Sequence, residues 1–87
     1  MELNSELDRL QKYAEIEAEL QRAIKKFPTF PESRFEQLAI MQEEAGEVTK
    51  AVLQEKYEGG TIKNIREEIV QTAATCMRML ENLPNQN

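Results

Sequence analysis

The sequence predicts an all-α protein, a protomer of three helices that completes its core by forming an oligomeric helical bundle. Three stretches carry apolar residues at the three-and-four spacing that is typical of amphipathic helices. They are separated by the proline-containing segment 27–31 and by the pair Gly59-Gly60, which favour helix ends. The chain has 87 residues, 40% hydrophobic and 31% charged, a balance typical of one small globular domain over residues 1–87.

The first helix is predicted over residues 4–26. Asn4 or Ser5 can cap its start, since both side chains accept hydrogen bonds from exposed backbone N–H groups. Lys25 and Lys26 suit its end, where cations interact favourably with the helix dipole. The apolar side chains drift around the helix by about 90° between its two halves. The drift indicates a bend or two different neighbours.

The second helix is predicted over residues 33–57. Ser33 and Glu36 have the spacing of a capping box at its start, and Gly59 favours its end. Gly46 lies inside the helix at a cost of roughly 1 kcal/mol relative to Ala. A close contact with another helix would explain a glycine there.

The third helix is predicted over residues 62–82, with Thr61 as its cap and a frayed tail over 84–87. Its apolar residues cover an arc of about 200°, formed by Ile65, Ile69, Val70, Ala73, Cys76, Met77, Leu80 and Leu83. One neighbouring helix covers less than this. We therefore expect burial on two sides, with a second copy of the chain as the further neighbour in a homodimer or homotetramer.

Composition excludes several functional classes. The net charge is −5, and residues 32–58 hold seven acids against three bases, which argues against nucleic acid as a partner and favours divalent cations. There is no His and Cys76 is the only cysteine, so neither a zinc site nor a disulfide framework is predicted. Cys76 is expected to be a small buried residue. Neither a membrane-spanning run nor a signal peptide is recognised, and we expect a cytoplasmic protein without a membrane partner.

Glu44 is the most unusual residue of the second helix. With about 100° per residue, it lies in the middle of an apolar stripe formed by Ile40, Val48 and Ala51, and Glu47 flanks the same stripe. A carboxylate that faces a core is costly unless it is paired, protonated or bound to a metal. The position of Glu44 therefore calls for a compensating group.

A second polar pair on the third helix can supply that compensation. Glu68 and Gln71 are three residues apart, as are Glu44 and Glu47, so each pair presents oxygens on one side of its helix. The short Gly-Gly connection makes the two helices antiparallel, and the pairs can then face one another. Three carboxylates and an amide form an all-oxygen site that suits Mg²⁺ or Mn²⁺. Chance spacing in a Glu-rich helix is the alternative.

These residues carry a resemblance to a known family. Residues 43–51, with Glu44-x-x-Glu47, followed after twenty residues by Glu67-Glu68, resemble the MazG-type, all-α nucleoside triphosphate pyrophosphohydrolase superfamily over residues 27–83. The family pattern is Glu-x-x-Glu, a spacer and Glu-x-x-Asp. The last position is Gln71 here, as in a small, often phage-associated branch of MazG-like proteins.

The resemblance implies Mg²⁺-dependent cleavage of a (d)NTP to its monophosphate and pyrophosphate in a homo-oligomer. Glu44, Glu47, Glu68 and Gln71 would be the metal ligands. Glu43 would act on the attacking water, with a solvated surface carboxylate as the alternative. Lys50 is the candidate phosphate contact, with an exposed lysine paired to a neighbour as the alternative.

Two other assignments remain open from the sequence. Lys63 and Arg66 at the start of the third helix are also candidates for phosphate contacts, and Tyr13, Phe30 or Phe35 could stack on a base. The alternative function is a catalytically weak or inactive module of the same fold that binds nucleotide or metal, or an acidic interaction protein. Gln71 motivates this alternative, because it removes one negative charge from the site.

Overall fold

The computed structural model describes the backbone of residues 2–84 and the side chains of residues 4–84, and these residues form three helices and no strand. The helices are α1 (Glu2–Lys26), α2 (Arg34–Tyr57) and α3 (Ile62–Glu81). The predicted all-α class with three helices is confirmed. The predicted frayed tail, apart from Pro84, lies outside the described residues. No helix in this part of the chain combines the length and apolar character needed to cross a membrane.

Local signals account for most of the helix ends. The Ser33 hydroxyl accepts the Glu36 N–H at 3.4 Å, and the Thr61 hydroxyl accepts the Asn64 N–H at 3.0 Å. After α2, Gly59 adopts a φ of +75°, a backbone conformation that costs glycine little. The first helix differs from its prediction, because α1 already begins at Glu2 and therefore contains Asn4 and Ser5 within it.

The third helix is the centre of the fold. α3 packs against both α2 and α1, whereas α1 and α2 do not pack directly against each other within residues 2–84. An ion pair between Arg66 and Glu15, with an N–O distance of 2.8 Å, joins α3 to α1. A groove therefore stays open between α1 and α2, with α3 as its floor.

The α1–α2 connection is fastened at both of its ends. Arg78 donates a hydrogen bond of 2.8 Å from Nη2 to the backbone carbonyl of Phe27, and its guanidinium lies 4.8 Å from the centre of the Phe30 ring. Gln37, only 2% exposed, donates to the Pro31 carbonyl at 2.6 Å. These contacts hold the connection beside the groove.

The hydrophobic core of the protomer is thin. Among the described residues only Leu20, Ala51 and Ala74 are buried apolar side chains. Cys76 is exposed, so the expectation of a buried cysteine is wrong for the protomer. Gly46 is also wrongly expected to make a close helix contact: a Cβ there would meet no described atom within 4 Å. Both residues lie on helix faces that the protomer leaves uncovered.

Candidate functional site

The groove between α1 and α2 forms a cavity of about 470 Å³. This volume falls within the range of about 300–1,000 Å³ that is common for small-molecule sites. Residues from all three helices and from the α1–α2 connection line it: Glu19, Arg22, Ala23, Lys26, Phe27, Thr29, Phe30, Pro31, Ile40, Glu44, Gln71, Ala74, Thr75 and Arg78. Carboxylates, cations and aromatic rings thus share one open pocket.

Glu44 is half-buried in the wall of this cavity. Burial raises the pKa of its carboxyl above the ordinary value. Neighbouring carboxylates raise the same pKa further, in decreasing order Glu68, Glu47, Glu19 and Glu43. The side chain therefore lies in a locally negative environment, which favours a proton or a bound cation.

The other predicted ligands surround Glu44 to different degrees. Gln71 is half-buried and lines the same cavity, so α2 and α3 bring these two side chains together. Glu68 is half-buried, and Glu47 is exposed. Both are close enough for their negative charges to raise the Glu44 pKa. The packing of α3 against α2 thus brings Gln71 into the Glu44 cavity and the charge of Glu68 near Glu44, whereas Glu47 is close because it lies three residues away on α2 itself.

The two predicted reaction residues lie further out. Glu43 is exposed, and it is the weakest of the carboxylates that act on Glu44. Lys50 is exposed and is not one of the described residues that line the cavity. Both side chains are accessible from solvent on α2.

The sequence interpretation missed Glu19 of α1 and Arg78 of α3, which both line the cavity. Glu19 pairs with Arg22 and acts on the charge of Glu44. Its signal was its place beside Ile16 and Ala23, at about 60° and 40° around the helix. Arg78 follows Gln71 by two helical turns, which puts both residues on one face of α3.

A second cavity, of about 660 Å³, lies between α1 and α3. Lys63, Arg66 and Gln71 are among its lining residues, so Gln71 borders both cavities. Arg66 is engaged there by Glu15. Of the candidate stacking rings, Phe30 lines the first cavity, whereas Tyr13 and Phe35 are exposed at 60% and 85%.

The donor set around Glu44 fits a hard divalent cation in its chemistry. Carboxylate and amide oxygens are the ligands that Mg²⁺ and Mn²⁺ prefer, and a cation would relieve the repulsion that raises the Glu44 pKa. Within residues 4–84, however, no three Asp, Glu, Cys or His side chains are already arranged as a ligand group. Binding would require the carboxylates to converge.

None of the protein families, curated proteins or solved structures with which the chain was compared matches it.

Proposed function

We propose that this protein is a MazG-like nucleotide pyrophosphohydrolase, which uses Mg²⁺ to cleave a (d)NTP to its monophosphate and pyrophosphate. The observation that carries the proposal is Glu44, half-buried among carboxylates in a cavity that it shares with Gln71. Carboxylates held near one another lower stability through their mutual repulsion unless a cation or a proton compensates them. A triphosphate substrate brings such a cation with it.

Four side chains would hold the metal: Glu44, Glu47, Glu68 and Gln71. Mn²⁺ would fit the same oxygen ligands as Mg²⁺. When bound, the cation neutralises charge on the triphosphate and lowers the pKa of the attacking water. Gln71 contributes a neutral oxygen where a carboxylate would add charge, so we expect moderate metal affinity.

In the proposed hydrolytic step, a side chain of this protein accepts the proton that the attacking water loses. A water oxygen forms a bond to the α-phosphorus while the bond from that phosphorus to the α,β-bridging oxygen breaks, and pyrophosphate leaves. The proton of the water passes to the Glu43 carboxylate, which is exposed and adjacent in sequence to Glu44. Lys50 remains a candidate phosphate contact from the exposed side of α2.

The proposal includes self-association. The radius of gyration is 15.0 Å, against about 12 Å for a compact chain of this length. The accessible surface is 7073 Å², about 1800 Å² more than a compact monomer of this mass exposes. A standard interface buries roughly 800 Å² per partner, so the excess is large enough for a second copy. Exposed apolar residues of α3 and of the segment that follows it offer a contact surface, namely Ile69, Met77 and Leu80 of α3 and Leu83 after it.

A second candidate function is a non-catalytic module that binds nucleotide or metal, or an acidic interaction protein. Two observations favour it: Gln71 occupies the fourth ligand position, and the described carboxylates form no ready ligand group. Calorimetry separates the two candidates. Nucleotide binding without turnover supports a binding module, and an absence of both metal and nucleotide binding supports an interaction protein.

Product analysis tests the enzymatic proposal. The protein is incubated with a panel of canonical and modified (d)NTPs, with Mg²⁺ or with EDTA, and the products are separated by ion-exchange chromatography. We expect monophosphate and pyrophosphate in equal amounts, only with the metal. Release of diphosphate and orthophosphate, or the same products in EDTA, would contradict the proposed reaction.

A further inference from the structure

Arg78 is a buried cation without a carboxylate partner in the described chain. Its residue surface is only 9% exposed, and the ion pairs within residues 2–84 do not include it. A buried charge is costly unless other groups compensate it. The Phe27 carbonyl and the Phe30 ring provide part of that compensation, and neither carries a negative charge.

Most of the donor capacity of Arg78 is unused. A guanidinium has five N–H donors in a planar fork, and only Nη2 makes a hydrogen bond to a described residue. The remaining guanidinium nitrogens have no hydrogen-bond partner among the described residues, and they are not fully buried. Arg78 is also one of the residues that line the 470 Å³ cavity.

A second cation borders the same end of the cavity. Lys26, the last residue of α1, lines the cavity and makes no ion pair within the described residues. Its ammonium lies 5.4 Å from the centre of the Phe27 ring. The backbone carbonyl of the same residue accepts the hydrogen bond from Arg78. Arg22 also lines the cavity but is already paired with Glu19. Two cations without a carboxylate partner among the described residues therefore line one cavity, and both contact Phe27.

The floor of the cavity connects this cationic end to the carboxylates. Gln71, Thr75 and Arg78 all line it, and their spacing of four and three residues puts them on one face of α3. Gln71 and Arg78 are about 10 Å apart along the helix. Ala74 lies between them and is only 2% exposed, and its small side chain leaves room above the floor.

We infer that Arg78 and Lys26 form a phosphate subsite, which binds a phosphate chain that extends along α3 from the Glu44 and Gln71 end of the cavity. A guanidinium fork matches the oxygens of a phosphate group, and an ammonium adds a second charge. Assigning this chain to the terminal phosphates of a (d)NTP rests on the proposed function. Binding of the phosphate chain itself does not.

Calorimetry with tripolyphosphate in EDTA tests the subsite without a base, a sugar or a metal. Wild type is expected to bind tripolyphosphate more tightly than citrate, which carries charge but no phosphate. Lys26→Gln should weaken binding by about 3–10-fold, while Lys25→Gln, which changes an exposed neighbouring lysine outside the cavity, should leave it unchanged. Arg78→Lys should weaken it by at least about 10-fold, because the fork is lost while the charge remains.

Clear results would overturn the inference: no tripolyphosphate binding, equal binding of citrate, or equal effects of the Lys25 and Lys26 substitutions. Because Arg78 is buried and its replacement can disturb the fold, the comparison of the Lys26 and Lys25 substitutions decides the question without it. Nucleotide turnover with equal KM values in the two lysine variants would overturn the subsite and leave the proposed function intact. The expected pattern of tripolyphosphate binding without turnover of any nucleotide would support the subsite and contradict the proposed function.

Discussion

Glu44 of α2 and Gln71 of α3 line the same cavity, although the Gly-Gly connection lies between them in the sequence. This relationship joins the acidic part of α2 to the polar face of α3. The surroundings of Glu44 therefore depend on how the helices pack. Glu19 of α1 lines the same cavity and also raises the Glu44 pKa. The following predictions test that arrangement, its charge and its assembly.

Replacing Glu44 with Gln should stabilise the metal-free protein at pH 8. Burial and neighbouring carboxylates raise the pKa of Glu44 in the folded state above its ordinary value of 4.5. The ionised Glu44 carboxylate therefore lowers the stability of the folded protein at high pH. The penalty shrinks as pH falls through the folded-state pKa and disappears below the ordinary value of 4.5. We expect Glu44→Gln to raise the free energy of unfolding by about 0.5 kcal/mol at pH 8, since solvent screens a half-exposed charge.

Urea unfolding in EDTA at pH 8 and at pH 4.5 measures this difference. Glu55→Gln, on an exposed position of the same helix, is the matched control and should change little at either pH. A Glu44→Gln effect that is independent of pH, or a loss of stability at pH 8, would contradict the assigned environment.

Replacing Gln71 with Asp should tighten Mg²⁺ binding and destabilise the metal-free protein. The change adds a carboxylate to the cavity that already contains Glu44, which favours a cation and increases repulsion in its absence. We expect a Kd lower by on the order of 10-fold in a calorimetric Mg²⁺ titration. Gln42→Asp adds the same charge at an exposed position of α2 and should not reproduce the effect; equal effects would assign it to net charge alone.

Replacing Leu80 with Glu should prevent the proposed self-association. Leu80 is 62% exposed on α3, and in the proposed assembly it would be buried, where an unpaired carboxylate is costly. Multi-angle light scattering at 10 µM should give an oligomer for wild type and a monomer for the variant. Lys63→Glu, exposed on the same helix, should remain oligomeric. Wild type that is monomeric at this concentration would refute the proposed self-association.

Two glycine substitutions should change stability in opposite directions. Gly46→Ala should raise the free energy of unfolding by about 0.5–1 kcal/mol, because a helical Cβ there meets no described atom. Gly59→Ala should lower it by about 1 kcal/mol, because a φ of +75° strains residues with a Cβ. Thermal unfolding compares the two variants. A destabilising Gly46→Ala would indicate that another copy packs on this face.

Local patterns were enough to predict the three helices. Ser33, Thr61 and Gly59 mark helix ends through interactions with residues close to them in sequence. The cationic end of the cavity depends on packing between distant segments, since Arg78 and Phe27 are 51 residues apart. Helix periodicity alone gives no indication of which helix α1 packs against, and Glu19 was therefore missed.

The exposed positions of Cys76 and Gly46 have a related cause. An apolar or small residue on a helix predicts that some surface will cover it, without indicating whether that surface belongs to the same chain. Within the described chain these two positions remain uncovered. The apolar arc on α3 predicts burial on two sides, and α2 and α1 supply both neighbours within the chain, although Ile69, Met77 and Leu80 remain exposed.

Pyrophosphate release with Mg²⁺ is the most direct test of the central claim that Glu44 belongs to a nucleotide-hydrolysing site. Wild type, Glu44→Gln and Glu55→Gln are compared on the best substrate of the (d)NTP panel. We expect Glu44→Gln to lower kcat by at least about 100-fold, the scale expected when a metal ligand is lost, and Glu55→Gln to match wild type. Absence of turnover of every nucleotide by wild type, or equal rates for the two variants, would contradict the account.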